Sequence, residues 1–259
     1  GWGMTSRDHL LAFLAKEDDP SSGGRQMPQH YGHRELKIVS QSSPTGTQFL
    51  QATGAGFALQ KNGENGVAYV SSGEGTSSQG DFHEALNWAS RDKSPVIFHI
   101  ENNGYAISVP IEDQTAGASV YKISAGYDNL ARFNVDGTDF FETHLAFKKA
   151  VERARKGKGP SLIQSDVVRL LPHSSSDDQR KYRPEKDLES DQKRDPLLTF
   201  ANTCIDEGIA KQEDFDKIRD MVKSQVDEDA DWADAQTDPI SDDGQKNVYF
   251  DADWQNDPG

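Results

Sequence analysis

The stretch 67–105 constrains the fold more than any other. Val67-Ala68-Tyr69-Val70-Ser71-Ser72 is an apolar run of strand length, closed by the turn Gly73-Glu74-Gly75-Thr76. Residues 80–91 follow with Phe82, Ala85, Leu86 and Ala89 at helical spacing. Pro95 to Ile100 is a second apolar run, ending in Glu101-Asn102-Asn103-Gly104-Tyr105. Two continuous apolar strands with a helix between them are the signature of parallel strands covered on both faces. The pattern recurs downstream. Residues 139–156 form an amphipathic helix through Phe140, Phe141, Leu145, Phe147 and Val151, and Ser161 to Val168 reads as a further strand. The expected fold class is therefore α/β, a parallel sheet flanked by helices.

The remaining segments are less regular. Residues 5–16 read as a helix with Leu10, Leu11 and Leu14 on one face and Thr5 or Ser6 as cap. Residues 17–25 are an acidic connection, and 26–43 a long irregular stretch of the kind that often carries function. Residues 45–60 read as a helix rich in small residues, among them Gly54-Ala55-Gly56. A dinucleotide loop is disfavoured there, because no strand precedes it and no third glycine follows. Close packing against a neighbouring helix or subunit accounts for the small residues better. Residues 171–184 are a polar loop, about 195–208 and 211–229 are helical, and the Asp-rich tail from about 230 reads as irregular.

Composition removes whole classes. The 259 residues carry a net charge of -15, of which -12 falls in residues 201–259 and only -3 in residues 1–200. A polyanion is a poor general binder of nucleic-acid backbones. Apolar runs are too short for a membrane span. The single Cys204 excludes an intrachain disulfide and most cysteine metal sites, and reads as a small core residue in a reducing, cytoplasmic setting. Asp outnumbers Glu 29 to 14, the balance of a solvated, salt-adapted acidic surface. The chain opens at Gly-Trp-Gly, which reads as a fragment or processed product.

In a parallel sheet, ligands gather at the carboxyl ends of the strands. Two such ends here carry Gly73-Glu74-Gly75 and Asn102-Asn103-Gly104-Tyr105. They offer a carboxylate and an amide oxygen, hard ligands suited to Mg2+, which takes its remaining ligands from phosphate and water. Gly73 and Gly75 let backbone N–H groups approach a phosphate, and the next helix presents its N-terminus to the anion. Each motif alone has a plainer reading: Glu74 as a helix cap, Asn102-Asn103-Gly104 as a turn, Ser42 to Gln48 as a cap, His173 as a surface histidine. His30 serves a site or a loop equally well; His83, His99 and His144 read as packing or surface residues. A hydrolase triad of His173 with Ser174 and Asp177 is disfavoured, because neighbours in one loop rarely form one.

Taken together, these motifs resemble a known family. Gly-Glu-Gly followed by Asn-Asn-Gly-Tyr is similar to the thiamine diphosphate motif. The ordered stretches 24–32, 42–48, 73–81, 102–108 and 173–178 resemble the α subunit, or α half, of the decarboxylating component of 2-oxo acid dehydrogenase complexes, in particular the branched-chain type. The resemblance covers nearly all of residues 1–200 as a thiamine-diphosphate-binding α/β domain, truncated at its N-terminus. Residues 201–259 are its acidic helical extension and tail.

The resemblance implies oxidative decarboxylation of a 2-oxo acid with acyl transfer to a lipoyl carrier. Glu74 and Asn103 would hold Mg2+ through side chains and Tyr105 through its carbonyl. Ser43 and Thr45 would meet the aminopyrimidine ring. Ser42, Pro44, Thr47 and Gln48 match a potassium site. Arg169 would lie near the cofactor phosphates, and His173 would position or protonate intermediates, with the serine loop at 174–176 matching a region phosphorylated in animal relatives. The implied partners are a β subunit or fused β half, in a heterotetramer, and the lipoyl domain of the acyltransferase component. A pyruvate- or acetoin-type α subunit is the alternative, and a non-catalytic assembly subunit is the alternative of another class.

Two departures stand out. Relatives place an arginine where this chain has Glu101. A glutamate there repels a diphosphate unless it points away or other bases compensate. The family carries a Tyr-Arg pair shortly before the point where this chain begins; the pair is expected to be absent from this chain and to lie upstream of residue 1.

Overall fold

The computed structural model describes residues 1–245. Contacts divide them into two compact units, one of residues 44–212 and one of residues 1–43 with the described residues from 213 on.

The larger unit is built on four parallel strands. β1 (Ala68–Gly73), β2 (Val96–Asn102), β5 (Ala131–Asp136) and β6 (Ser161–Asp166) lie in the order β1-β2-β6-β5. β6 enters between β2 and β5, pairing Ile97 and Ala131 with Ser161. Alternation along β2 feeds two cores. Val96, Phe98 and Ile100 pack with Phe49 of α2 (Thr47–Lys61) and with Phe82, Leu86 and Ala89 of α3 (Gly80–Asp92). Ile97 faces the other way, toward Ala146 and Ala150 of α6 (Phe140–Arg155). Strand period 2 between two helical layers is why the first halves of these strands are apolar on both faces. Each buried Phe or Leu contributes about 1.5–3 kcal/mol. Asp139 caps α6, its Oδ1 accepting from the N–H groups of Phe141 and Glu142 at 2.8 and 3.0 Å.

The α/β expectation is met. The close packing expected of α2 against a neighbouring helix is found with α3, Phe49 and Phe82 lying 5.0 Å apart between ring centres, and one of its small residues also approaches a strand. A Cβ on Gly56 would stand 2.6 Å from Val96 Cγ2, whereas Gly54 faces open space. Several elements escape the sequence pattern. After β2 the chain forms a hairpin of β3 (Tyr105–Ala106) and β4 (Val109–Pro110), then short helices α4 (Ile111–Gln114) and α5 (Val120–Ile123). α7 (Glu185–Lys193) precedes α8 (Pro196–Asp206). Cys204 is buried, as expected of a core residue.

The other unit is held by α1 (Ser6–Phe13) and α9 (Gln212–Asp234). The regular structure therefore continues past residue 230, and residues 246–259 of the expected irregular tail lie outside the described residues. Buried Asp229 of α9 accepts from Ser6 Oγ and from Arg7 Nε, the latter at 2.8 Å. These bonds hold its carboxyl below the usual range. Lys16, also buried, donates to the carbonyl of Asp234 and to Asp238 at 2.9 and 2.8 Å. Part of the C-terminal acidity thus joins elements instead of only facing solvent. Among the described residues no helix is long and apolar enough to cross a membrane.

Candidate functional site

Gly73 and Glu101 are register partners, so the turns that leave β1 and β2 stand side by side at the carboxyl edge of the sheet. Glu74 opens a 3-10 turn, Glu74–Ser78, and is wholly buried. Its Oε2 accepts from Asn103 N–H at 3.1 Å, whereas its Oε1 is buried with no hydrogen-bond partner. Burial raises the pKa of the Glu74 carboxyl. The backbone N–H groups of Glu74, Asn103 and Tyr105 and the charge of Arg169 oppose that rise. A buried carboxylate with an open lone pair is expensive to leave unmatched, and a cation is the partner that matches it.

The second turn is set by its own amides. Asn102 Oδ1 accepts from Gly104 N–H at 3.1 Å, and Asn103 Oδ1 from Tyr105 N–H at 3.2 Å. Asn102 Nδ2 donates to Asp166 Oδ1 at 2.8 Å, which ties the turn to the end of β6. Gly104 sits at φ +82°, a left-handed conformation that glycine adopts without strain. The turns also touch directly: a Cβ on Gly75 would lie 2.8 Å from Ala106 Cβ. Among the described residues no group of three or more His, Cys, Asp and Glu is arranged to hold a metal. A single carboxylate with amide and carbonyl oxygens suits a hard cation that completes its shell from phosphate and water.

Glu101 leans along its strand, Oε1 lying 3.6 Å from His99 Nδ1. His99 is no simple packing residue. Its Nδ1 lies 3.0 Å from Tyr69 Oη and its Nε2 3.0 Å from Ser165 Oγ. Burial lowers the His99 pKa, and the Glu101 carboxylate works against that shift.

Arg169 reaches the hairpin and the downstream loop at once. It donates to the Ile107 carbonyl at 2.8 Å and to Tyr182 Oη at 2.7 Å, and its guanidinium lies 5.5 Å from the Tyr105 ring centre. Tyr182 Oη donates onward to Asp177 Oδ2 at 2.6 Å, and that oxygen also accepts from His173 N–H at 3.0 Å. These bonds hold the Asp177 carboxyl below its ordinary value, the Tyr182 hydroxyl most strongly. The His173 side chain is exposed. Buried Arg183 donates to the Arg169 carbonyl at 2.9 Å and pairs with Asp191. Tyr182, Arg183 and the bracing role of Asp177 were not singled out from sequence. Tyr182-Arg183 is itself a Tyr-Arg pair, so such a dipeptide does occur here, but far downstream of the family's position.

The residues around the start of α2 are separately engaged. Ser43 Oγ lies 2.7 Å from His30 Nε2; His30 Nδ1 faces the Met27 and Pro28 carbonyls at 3.1 and 3.2 Å. In the neutral ring the two carbonyls select the tautomer with Nδ1 as donor, which leaves Nε2 to accept from the Ser43 hydroxyl. Thr47 Oγ1 donates to the Pro44 carbonyl at 3.0 Å, and Gln48 Oε1 accepts from Gly46 N–H at 2.8 Å. Thr45 is exposed and Ser42 half-buried.

The family model described as dehydrogenase E1 component matches residues 2–241. The chain belongs to that family. Within the E1 components, it is 43% identical over 232 residues to the 2-oxoisovalerate dehydrogenase subunit alpha of Bacillus subtilis, covering 90% of this chain and 70% of that relative. The 3-methyl-2-oxobutanoate dehydrogenase subunit alpha of Mycobacterium tuberculosis is 37% identical over 171 residues, 66% of this chain and 46% of the relative. The pyruvate dehydrogenase E1 component subunit alpha of Staphylococcus aureus (strain Mu50) is 35% identical over 206 residues, 78% of this chain and 54% of the relative. The chain thus spans about half the length of the latter two E1 relatives. The expected kinship with branched-chain α subunits is borne out.

Proposed function

We propose that the chain is the α part of a thiamine-diphosphate-dependent 2-oxo acid dehydrogenase, acting on a branched-chain substrate. On this reading residues 1–200 carry the cofactor-contacting stretches and 201–259 the acidic extension. The observation that carries the proposal is the buried Glu74 carboxylate, whose unmatched Oε1 lies at the carboxyl edge of the sheet beside the Asn103 turn. Higher identity to the 2-oxoisovalerate than to the pyruvate relative supports the substrate class.

Glu74, the Asn103 side chain and the Tyr105 carbonyl would hold Mg2+. When bound, thiamine diphosphate supplies the electron sink that lets carbon dioxide leave a 2-oxo acid. The chain's own residues do the rest. Gly73 and Gly75 let backbone N–H groups approach the diphosphate, and Arg169 sets a fixed positive charge beside the Tyr105 end of the site. His173 carries a proton to or from the reacting centre, on a loop braced by Asp177 and Tyr182. Ser43 and Thr45 meet the aminopyrimidine, and Ser42, Pro44, Thr47 and Gln48 order that loop around K+. Glu101 Oε1 lies along its own strand, 3.6 Å from His99 Nδ1. A β subunit or fused β half completes the site, and a lipoyl domain accepts the acyl group.

The test is calorimetry of the α chain assembled with its β chain, titrated with thiamine diphosphate and Mg2+, for parent, Glu74→Ala and Asn103→Ala. Binding by the parent and loss in both variants is expected. An assembly that binds nothing ends the enzyme reading in favour of a non-catalytic subunit. Decarboxylation of 3-methyl-2-oxobutanoate faster than of pyruvate is expected, and the reverse order would move the substrate to pyruvate.

A further inference from the structure

Gln114 is the last residue of the short helix α4, 40 residues beyond Glu74. Its path there is specific. The hairpin after Asn103 folds back, Ile111 N–H donates to the Gly104 carbonyl at 2.9 Å, and Ile111 is buried. This anchors α4 to the turn that leaves β2, and α4 also packs on the Glu74–Ser78 turn that leaves β1. From there Gln114 Nε2 faces three acceptors: the Glu74 carbonyl at 3.2 Å, the Gly75 carbonyl at 3.1 Å and Ser78 Oγ at 2.7 Å. Its Oε1 is buried without a partner.

That arrangement is asymmetric. A glutamine buried for general packing would place both ends of its amide. Here the donor end converges on the backbone of the residue whose carboxylate is also unmatched, and the acceptor end is left over. Within the short Glu74–Ser78 turn the Glu74 carbonyl also accepts from Ser77 Oγ at 2.7 Å, so Gln114 adds a bond from a separate element to a carbonyl held inside the turn. A side chain that bridges two successive carbonyls fixes the orientation of both peptide planes, and hence the direction in which the Glu74 side chain departs.

We infer that Gln114 is a positioning residue for the metal site, orienting Glu74 by clamping the Glu74 and Gly75 carbonyls. The inference rests on the assignment of Glu74 as a Mg2+ ligand. Partners of this kind set metal affinity because a ligand held in place loses no orientational freedom when the ion arrives, and their removal weakens binding by about 10–100-fold.

The experiment uses the α chain assembled with its β chain. Mn2+ serves as the paramagnetic probe in the presence of thiamine diphosphate, its free fraction read by EPR. Gln114→Met keeps length and removes the donors; Gln114→Glu keeps shape and sets an acceptor against two carbonyls. Both are expected to raise the Mn2+ dissociation constant at least tenfold. The KM for Mg2+ should rise in parallel, with a fall in kcat at saturating metal of less than about threefold. A purely structural role would instead lower kcat and assembly without this split. Parent-like Mn2+ affinity, within twofold, in the variants that assemble overturns the inference while leaving the Glu74 site intact. A parent assembly that takes up no Mn2+ overturns the site, and the role of Gln114 with it. Should Gln114→Met fail to assemble, Gln114→Glu decides alone.

Discussion

Gly75→Ala tests how closely the two turns of the site must approach. The added Cβ would stand 2.8 Å from Ala106 Cβ and 3.3 Å from Ala106 Cα. Carbon atoms prefer separations of about 3.5–4.0 Å, so turn and hairpin must part by about 0.7–1.2 Å. Neither contact is the far end of a flexible side chain, so the backbone has to yield. Overpacking of this size costs about 1–3 kcal/mol of stability. The effect on function should be larger. Glu74 precedes Gly75, Asn103 lies three residues before Ala106, and misplacement of a site by about 1 Å lowers rates by about 100-fold. The assay is decarboxylation and Mg2+-dependent cofactor binding by the α/β assembly, beside its melting temperature. Ala106→Gly removes the nearer of the two clashing atoms, leaving a contact of 3.3 Å that small shifts absorb. The double variant should therefore recover most of the lost affinity, a coupling read directly from a double-mutant cycle. Parent-like cofactor binding by Gly75→Ala, or no recovery in the double variant, would refute the reasoning.

Phe82→Ala should destabilise the protein by about 3–5 kcal/mol in urea unfolding, since Phe82 is wholly buried against Phe49 with ring centres 5.0 Å apart. Tyr182→Phe removes the hydroxyl shared by Arg169 and Asp177, so trypsin should cut at Arg180 and Lys181 several-fold faster, with little change in overall melting. Asp229 has a depressed carboxyl pKa, so its contribution is present above the unfolded value of about 3.9 and is lost as pH falls through the native one. Asp229→Asn should be less stable at neutral pH and lose less on acidification, as followed by thermal melts from neutrality to pH 2. If the acidic surface is salt-adapted, melting temperature rises markedly between dilute buffer and molar KCl; equal stability in both removes that reading.

The sequence exposed the elements whose side chains face two cores at once. β1, β2 and β6 are apolar on both faces, and α3 and α6 carry a stripe. β5 was missed although Ala131, Phe133 and Val135 alternate with Arg132, Asn134 and Asp136, the period-2 pattern of a half-buried edge strand. α7 was hidden because Leu188 is the only apolar residue of its nine. Site residues with a short motif, such as Glu74 and Asn103, could be picked out by eye. Gln114, Tyr182 and Arg183 act through contacts that span 36–40, 13 and 14 residues, and no local pattern marks such partners.

The central place of β6 governs the order in which the molecule can be made. Glu74 and Asn103 sit on one strand–helix–strand segment, which emerges from the ribosome before β6. β6, the neighbour of both β2 and β5, is complete only at Asp166, 64 residues after the end of β2. At about 5–20 residues per second that is an interval of about 3–13 s. During it the inner edge of β2, carrying Ile97, His99 and Glu101, has no strand beside it. The Glu74 and Asn103 turns are thus synthesised before the Asp166 carboxylate that braces one of them, and before Arg169 and His173. A nascent chain stalled in this window exposes an open sheet edge, and that interval is when it is most exposed to mispairing.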